Sequence, residues 1–232
     1  MLNILYEDNH IIVLVKESGI PSQGGMDSTI DLTELIKKYL KEKYNKPGNV
    51  YLGLVHRLDI NTKGIMVLAK TSKAAKRLTE EIKTHALNKK YIAVVEGKLE
   101  LNKHIKLENK LIKDEKLKKS FISPDGKDAI LEFDVLENIK YKNQDLSILD
   151  ISLITGRFHQ IRCQLSNYGY PIYGDVKYGS SNKLGNICLL YAYELKFIHP
   201  VTKENMDFKI EVLNEIKNIY RWCSHFKKYM WI

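Results

Sequence analysis

The stretch Val55-His56-Arg57-Leu58-Asp59-Ile60-Asn61-Thr62-Lys63-Gly64-Ile65-Met66-Val67-Leu68-Ala69 constrains the fold more than any other. It sets a His, an Arg and an Asp between two apolar runs. Residues 65–69 are apolar and start on a β-branched side chain, the pattern of a short buried strand. Thr62, Lys63 and Gly64 read as a tight turn leading into it. Asp59 is therefore expected on a loop pinned by ordered structure on both sides, which is how rigid scaffolds present reactive groups. An Asp before a turn also has a plainer use as a turn-former or cap. The stretch alone does not assign chemistry.

Similar short runs recur along the chain. Residues 4–6 and 11–15 read as a hairpin closed by Glu7-Asp8-Asn9-His10, and residues 91–96, 129–136, 146–154 and 189–198 read as further strands. Alternation puts Tyr91, Ala93 and Val95 on one face of theirs. Helical spacing appears at Leu32, Leu35, Ile36, Tyr39 and Leu40, with Ser28 or Asp31 as cap. A second helix starts at Thr71-Ser72, with Ala75, Leu78, Ile82 and Ala86 inward and Lys73, Lys76, Arg77 and Lys83 on a solvated face. A third carries Ile161, Leu165 and Tyr168 on one line and His159 and Arg162 on another. A last one is expected over residues 214–228, with Leu213, Ile216, Tyr220 and Cys223 inward. Residues 98–128 hold Lys103, Lys106, Lys110, Lys113, Lys116, Lys118 and Lys119 among few acids, and read as a surface loop or short hairpin available to a polyanion. Strands outnumber helices and short turns join several of them. That predicts an α+β fold, a mixed and mainly antiparallel sheet with packed helices, in one domain spanning residues 1–232.

Composition narrows the function classes. No apolar run approaches membrane-spanning length and mean hydropathy is −0.30, so no transmembrane helix is expected. The N-terminus turns acidic at Glu7-Asp8 with no basic region before it, unlike a signal peptide. Three cysteines without C-x-x-C spacing point to a reducing, cytoplasmic setting and no zinc site. A net charge of +9 points to a polyanionic partner.

Two further stretches carry the sharper signal. One is Lys90-Tyr91-Ile92-Ala93-Val94-Val95-Glu96-Gly97, with Lys89 or Lys90 as its basic residue. The other is Thr155-Gly156-Arg157-Phe158-His159-Gln160-Ile161-Arg162-Cys163-Gln164-Leu165, followed by Gly169-Tyr170-Pro171-Ile172-Tyr173-Gly174-Asp175. With the His56-Arg57-Leu58-Asp59 stretch, in this order and spacing, the chain resembles a pseudouridine synthase of the RluA type over most of its length. The resemblance implies a curved sheet crossed by a central catalytic cleft, and an activity that isomerises uridine in structured RNA, a stem-loop of large-subunit ribosomal RNA or of transfer RNA. It also implies no cofactor. It implies Asp59 as the catalytic carboxylate, Arg162 as its cationic partner, and Tyr91 as the ring that stacks on the target base and helps remove its proton at C5. Arg57 matches the residue beside the vacated base stack. His56, Arg157, His159 and Gln160 are expected to order the cleft or touch phosphate. Many relatives carry an extra N-terminal RNA-binding domain; none is expected here, and the protein is expected to act as a monomer.

The chain departs from the family pattern at three places. Glu17 stands where Pro usually follows Lys16, an expected loosening of that turn. Phe158 replaces a small hydroxyl residue and Tyr191 replaces a common His, both expected to alter cleft shape without removing a reacting group. Two other classes were weighed. A metal-dependent hydrolase built on His56, Asp59 and His159 lacks any H-E-x-x-H or D-x-D cluster. A catalytically silent RNA-binding module or chaperone of the same fold is opposed by the intact Asp59, Tyr91 and Arg162.

Overall fold

The computed structural model describes residues 2–24, 30–185, 187–214 and 216. The expected terminal helix beyond Ile216, with Tyr220 and Cys223, and the alternative cap Ser28 lie outside these residues. In chain order the elements are β1 (Asn3–Glu7), β2 (Ile11–Lys16), α1 (Leu32–Lys43), β3 (Gly53–Leu54), β4 (Lys63–Ala69), α2 (Ser72–Lys83), β5 (Asn88–Glu96), β6 (His104–Asp114), β7 (Lys119–Ile122), β8 (Lys127–Tyr141), β9 (Gln144–Leu153), α3 (Gln160–Asn167), β10 (Leu190–Ile198) and β11 (Asn205–Lys209). Eleven strands form one sheet in the order β1-β2-β4-β10-β5-β9-β8-β6-β7, with β3 on β4 and β11 on β10. Among the strand pairs, β4 with β10 runs parallel, through Tyr191↔Lys63 and Ala192↔Gly64, and the others run antiparallel. The mixed, mainly antiparallel α+β expectation holds.

Helices cover both faces of the sheet's first half. Leu32, Ile36 and Leu40 of α1 and Ile161 and Leu165 of α3 join Ile12, Leu14, Met66, Leu68, Tyr91 and Ala93 in one buried cluster. Ala74 and Leu78 of α2 pack on the opposite face with Ile11, Val13, Ile65 and Val67. All six residues of β2 are buried, which explains its unbroken apolar run: a strand covered on both faces has no polar side to show. Asp31 is the α1 cap, its Oδ1 accepting the Glu34 N–H at 2.9 Å.

Four local expectations change. Where a surface loop or short hairpin is expected over residues 98–128, a longer hairpin forms: β6 pairs with β8 from His104↔Asp134 to Leu111↔Lys127, and β7 pairs with β6. Ile105, Leu107 and Leu111 face inward while Lys106, Glu108 and Lys110 face water, so the lysines occupy the outward half of a period of two. The turn lies one step earlier than expected. Thr62 N–H donates to Asp59 O at 3.0 Å, and Lys63 and Gly64 already belong to β4. Gly64 serves a close approach instead: a Cβ there would stand 2.3 Å from the Ala192 carbonyl oxygen on β10. In α2, Ala74 is buried beside the inward, partly buried Ala75, Arg77 is half-buried and donates to Pro200 O at 2.5 Å, and Ala86 lies exposed past the helix end. Finally, the turn at Glu17 is not loose, because the buried Lys16 ammonium binds the carbonyls of Glu17 and Ile20.

Candidate active site

The loop carrying Asp59 is held from below by its neighbour, residues 17–22. Lys16 is fully buried, and its ammonium donates to the carbonyls of Glu17 and Ile20, each at 2.9 Å, and of Ile60 at 3.3 Å. Gly19 N–H donates to Ile60 O at 2.7 Å and Ser18 Oγ to Asn61 O at 2.9 Å. Ser22 Oγ donates to Leu58 O at 2.7 Å. Burial pulls the Lys16 ammonium down to about 8 although Asp59 and Glu17 favour its charge. The two loops thus form one braced unit, and Asp59, half-buried, looks out of it into a cleft of about 1220 Å³.

On the far wall, α3 aims Arg162 at Asp59. Arg162 Nη1 donates to Asp59 Oδ2 at 3.1 Å. Its other edge binds Asp175 bidentately, Nε to Oδ2 at 2.7 Å and Nη2 to Oδ1 at 2.8 Å. Asp175 and Arg162 are both buried. Burial opposes the Arg162 charge, but the hydrogen bonds and charge of Asp175, then Asp59, outweigh it and push the guanidinium pKa up. His159 caps α3 in a left-handed conformation (φ 50°). Its Nδ1 lies 3.0 Å from the Tyr178 hydroxyl and its Nε2 3.7 Å from Asp59 Oδ2. Burial, with the charges of Arg162 and Lys177, pushes its pKa down to about 3, so His159 faces Asp59 as a neutral ring. Phe158 stacks on it at 3.8 Å between ring centroids and lines the cleft, as its position in the motif predicted.

Tyr91 enters from β5. It is buried, and burial followed by the charge of Asp59 raises its phenol pKa, so the ring is a neutral surface. Of the two basic residues before it, Lys89 lines the cleft while Lys90 points to the other face and pairs with Asp150 at 3.3 Å. All eight residues singled out from sequence line this cleft, but they do different work. Arg57 is exposed at the rim. Arg157 is anchored by its Nε donating to Asp128 O at 2.8 Å. Gln160 is buried with its amide engaged by Thr155, the Arg157 N–H and Ile130 O. His56 is buried and turned toward β4, where its Nε2 accepts the Val67 N–H at 3.1 Å. Burial and the nearby Lys89 charge hold its pKa well below the usual range. His56 therefore stands apart from the Asp59–His159 pair, and no three metal-ligating side chains gather among the described residues. Tyr191 sits on the opposite face of β10 from the cleft-lining Leu190, packed with Ile92 and Val94, so it does not shape the cleft.

The RNA pseudouridylate synthase family pattern matches residues 10–167. The chain belongs to that family. Its members isomerise uridine to pseudouridine in RNA, so this is an RNA-directed isomerase. Relatives similar to this pseudouridine synthase include the "Uncharacterized RNA pseudouridine synthase" of Aquifex aeolicus, 31% identical over 96% of this chain and 73% of that protein. Another is the ribosomal large subunit pseudouridine synthase C of Buchnera aphidicola, 36% identical over 88% of this chain and 64% of that protein. The chain thus spans between 64% and 73% of the length of these two relatives. In fold it is similar to human RNA pseudouridylate synthase domain containing 1, with a TM-score of 0.71 over 95% of both chains at 21% identity.

Sequence reasoning missed the bracing by Lys16 and Ser22 and the part played by Asp175. Asp175 closes the Gly169-to-Asp175 stretch that belonged to the motif, but nothing in its spacing says which cation it meets. The signal was present only as an acid followed by the mostly apolar Val176-Lys177-Tyr178 turn.

Proposed function

We propose that residues 1–232 form one catalytic domain that converts specific uridines of structured RNA to pseudouridine, with Asp59 as the reacting carboxylate. The observation carrying this is the Asp59–Arg162–Asp175 chain. A reacting carboxylate needs a fixed partner to orient it, and Arg162, itself locked by Asp175, supplies a cationic one 3.1 Å away. Asp59 is also the only carboxylate among the described residues lining the cleft, against eight Lys and Arg. That balance suits a phosphate backbone.

The reaction breaks the C1′–N1 glycosidic bond, turns the base and joins C1′ to C5. The C5 proton leaves and N1 gains one, so no oxidant or transferred group is required. Asp59 acts at the sugar, either by attack at C1′ or by taking a sugar proton. Tyr91 offers its neutral ring as the stacking surface and helps remove the C5 proton, its oxygen taking that proton while its own O–H passes one on to water in the cleft. Arg57 at the rim takes the space left by the everted base, whose extrusion costs a few kcal/mol. His56 and Gln160 order the walls; Arg157 and His159 meet the RNA. The name of the Buchnera relative makes large-subunit ribosomal RNA the first target to test, ahead of transfer RNA. A reducing, cytoplasmic setting fits the two buried free cysteines, Cys163 and Cys188, and the protein is taken to act as a monomer.

The test is pseudouridine mapping of total RNA from cells with and without the gene. A site should vanish on deletion and return with the wild type but not with Asp59→Asn. In single-turnover assays that variant should lose about 10⁴-fold or more in rate, the scale of removing a principal catalytic group, while RNA affinity persists. Full activity in Asp59→Asn would sink the assignment.

A further inference from the structure

Lys89 is a cleft-lining charge that nothing in the site explains. It stands on β5 two residues before Tyr91 and so shares its face. Its side chain is half-buried in the cleft wall. The other buried cations around the site are spoken for: Arg162 by two carboxylates and Lys16 by three carbonyls. Lys89 has no hydrogen-bond or ion-pair partner among the described residues, and the lone carboxylate of the cleft is committed to Arg162. An unpaired ammonium in such a wall costs stability that an apolar side chain would not. Its cost is recovered only if an anion arrives from outside.

We propose that Lys89 receives a backbone phosphate of the RNA beside the uridine that stacks on Tyr91. The assignment rests on reading the cleft as the uridine site. A compact ammonium with three donors suits a single phosphate oxygen, as a point charge. Burial holds the free Lys89 ammonium down at about 8. A bound phosphate supplies the missing counter-charge and raises it again, so RNA binding takes up a proton near and above pH 8. The half-saturating RNA concentration of the wild type should therefore climb as pH rises through about 8.

The experiment uses RNA extracted from cells lacking this protein as substrate, with pseudouridine formation followed for the wild type, Lys89→Met and Lys89→Arg. Lys89→Met should raise KM by about 10- to 100-fold, the range of a lost charge-assisted hydrogen bond, with kcat retained. Lys89→Arg should keep the low KM and flatten its rise through pH 8, since Arg does not deprotonate there. The free Lys89→Met protein should also melt higher than the wild type, where a merely structural lysine would make it melt lower. An unchanged KM in Lys89→Met overturns the proposal. So does a loss of kcat alone, which would make the amine a proton carrier. A wild type that forms no pseudouridine on any RNA would sink the reading of the cleft, and this assignment with it; an active wild type with an indifferent Lys89→Met sinks Lys89 alone.

Discussion

Arg162 is shared unequally between two carboxylates. Asp175 takes the planar edge with two short hydrogen bonds and is buried, while Asp59 takes the remaining Nη1 at 3.1 Å and keeps a side open to the cleft. The inner acid fixes where the guanidinium points, and the outer acid feels its charge without being trapped by it. Replacing Asp175 by Asn keeps the shape but turns an amide N–H₂ toward the guanidinium and leaves a buried cation undercompensated. Breaking a buried pair in this way costs about 3–5 kcal/mol. Asp175→Asn should therefore lower the urea midpoint by that equivalent and slow isomerisation, although Asp175 faces away from the cleft. A variant within about 1 kcal/mol of the wild type, turning over normally, would mean that Arg162 is held by its packing alone. That Asp59, Tyr91 and Arg162 would meet in one cleft was legible from sequence because each stands in a motif of fixed spacing. Their supports were not, because Lys16, Ser22 and Asp175 act across 36 residues or more (Ser22 to Leu58) or through a partner that spacing does not name.

At the level of elements, β4 is the hinge between the two halves of the site. Its first residues leave the Asp59 turn and pair in parallel with β10 at Gly64↔Ala192. Gly64→Ala would drive a Cβ to 2.3 Å from a backbone oxygen and 2.5 Å from the Ala192 Cβ, neither of which can swing aside. The strand must shift and carry the Asp59 turn with it. Thermal unfolding should report a loss of about 1–3 kcal/mol, the usual scale of overpacking, together with reduced turnover. An unperturbed Gly64→Ala would show that β4 and β10 part freely there. Gly64 also shows why the sequence misplaced the turn. A glycine after Thr and Lys has the composition of a turn, whereas its requirement here comes from a strand some 130 residues away (Ala192). The unbroken apolar runs of β2 and of residues 65–69 in β4, and the helical period of α1, were readable. The β6–β7 stretch was legible only as a loop or short hairpin, because the lysines spaced along β6 hide the alternation of the inward Ile105, Leu107 and Leu111.

Over the whole molecule, the +9 charge is not spread evenly with respect to the cleft. Eight of the lining residues are Lys or Arg, and two of them, Lys113 and Lys118, come from the hairpin whose other strands close the far edge of the sheet. Lys113 lies 4.8 Å over the Phe158 ring, which ties the hairpin to the wall that holds His159 and Arg162. The sheet thus brings a basic strand pair, remote in sequence from Asp59, to the mouth of the same cleft. If these lysines meet phosphates, each contact releases condensed counterions, and the slope of log affinity against log salt falls by about 0.7 per contact on single strands and about 0.9 on duplex. Replacing Lys113 and Lys118 by Gln should flatten the slope by roughly 1.4 to 1.8. Replacing Lys140 and Lys203, exposed and outside the cleft lining, removes the same charge and should leave the slope nearly unchanged. Filter binding of the active protein to its RNA between 50 and 200 mM salt, the range over which phosphate contacts dominate, measures both. Equal flattening by the two pairs would mean that RNA feels the positive charge only as a diffuse field, and that the hairpin is a structural edge with no hold on the substrate.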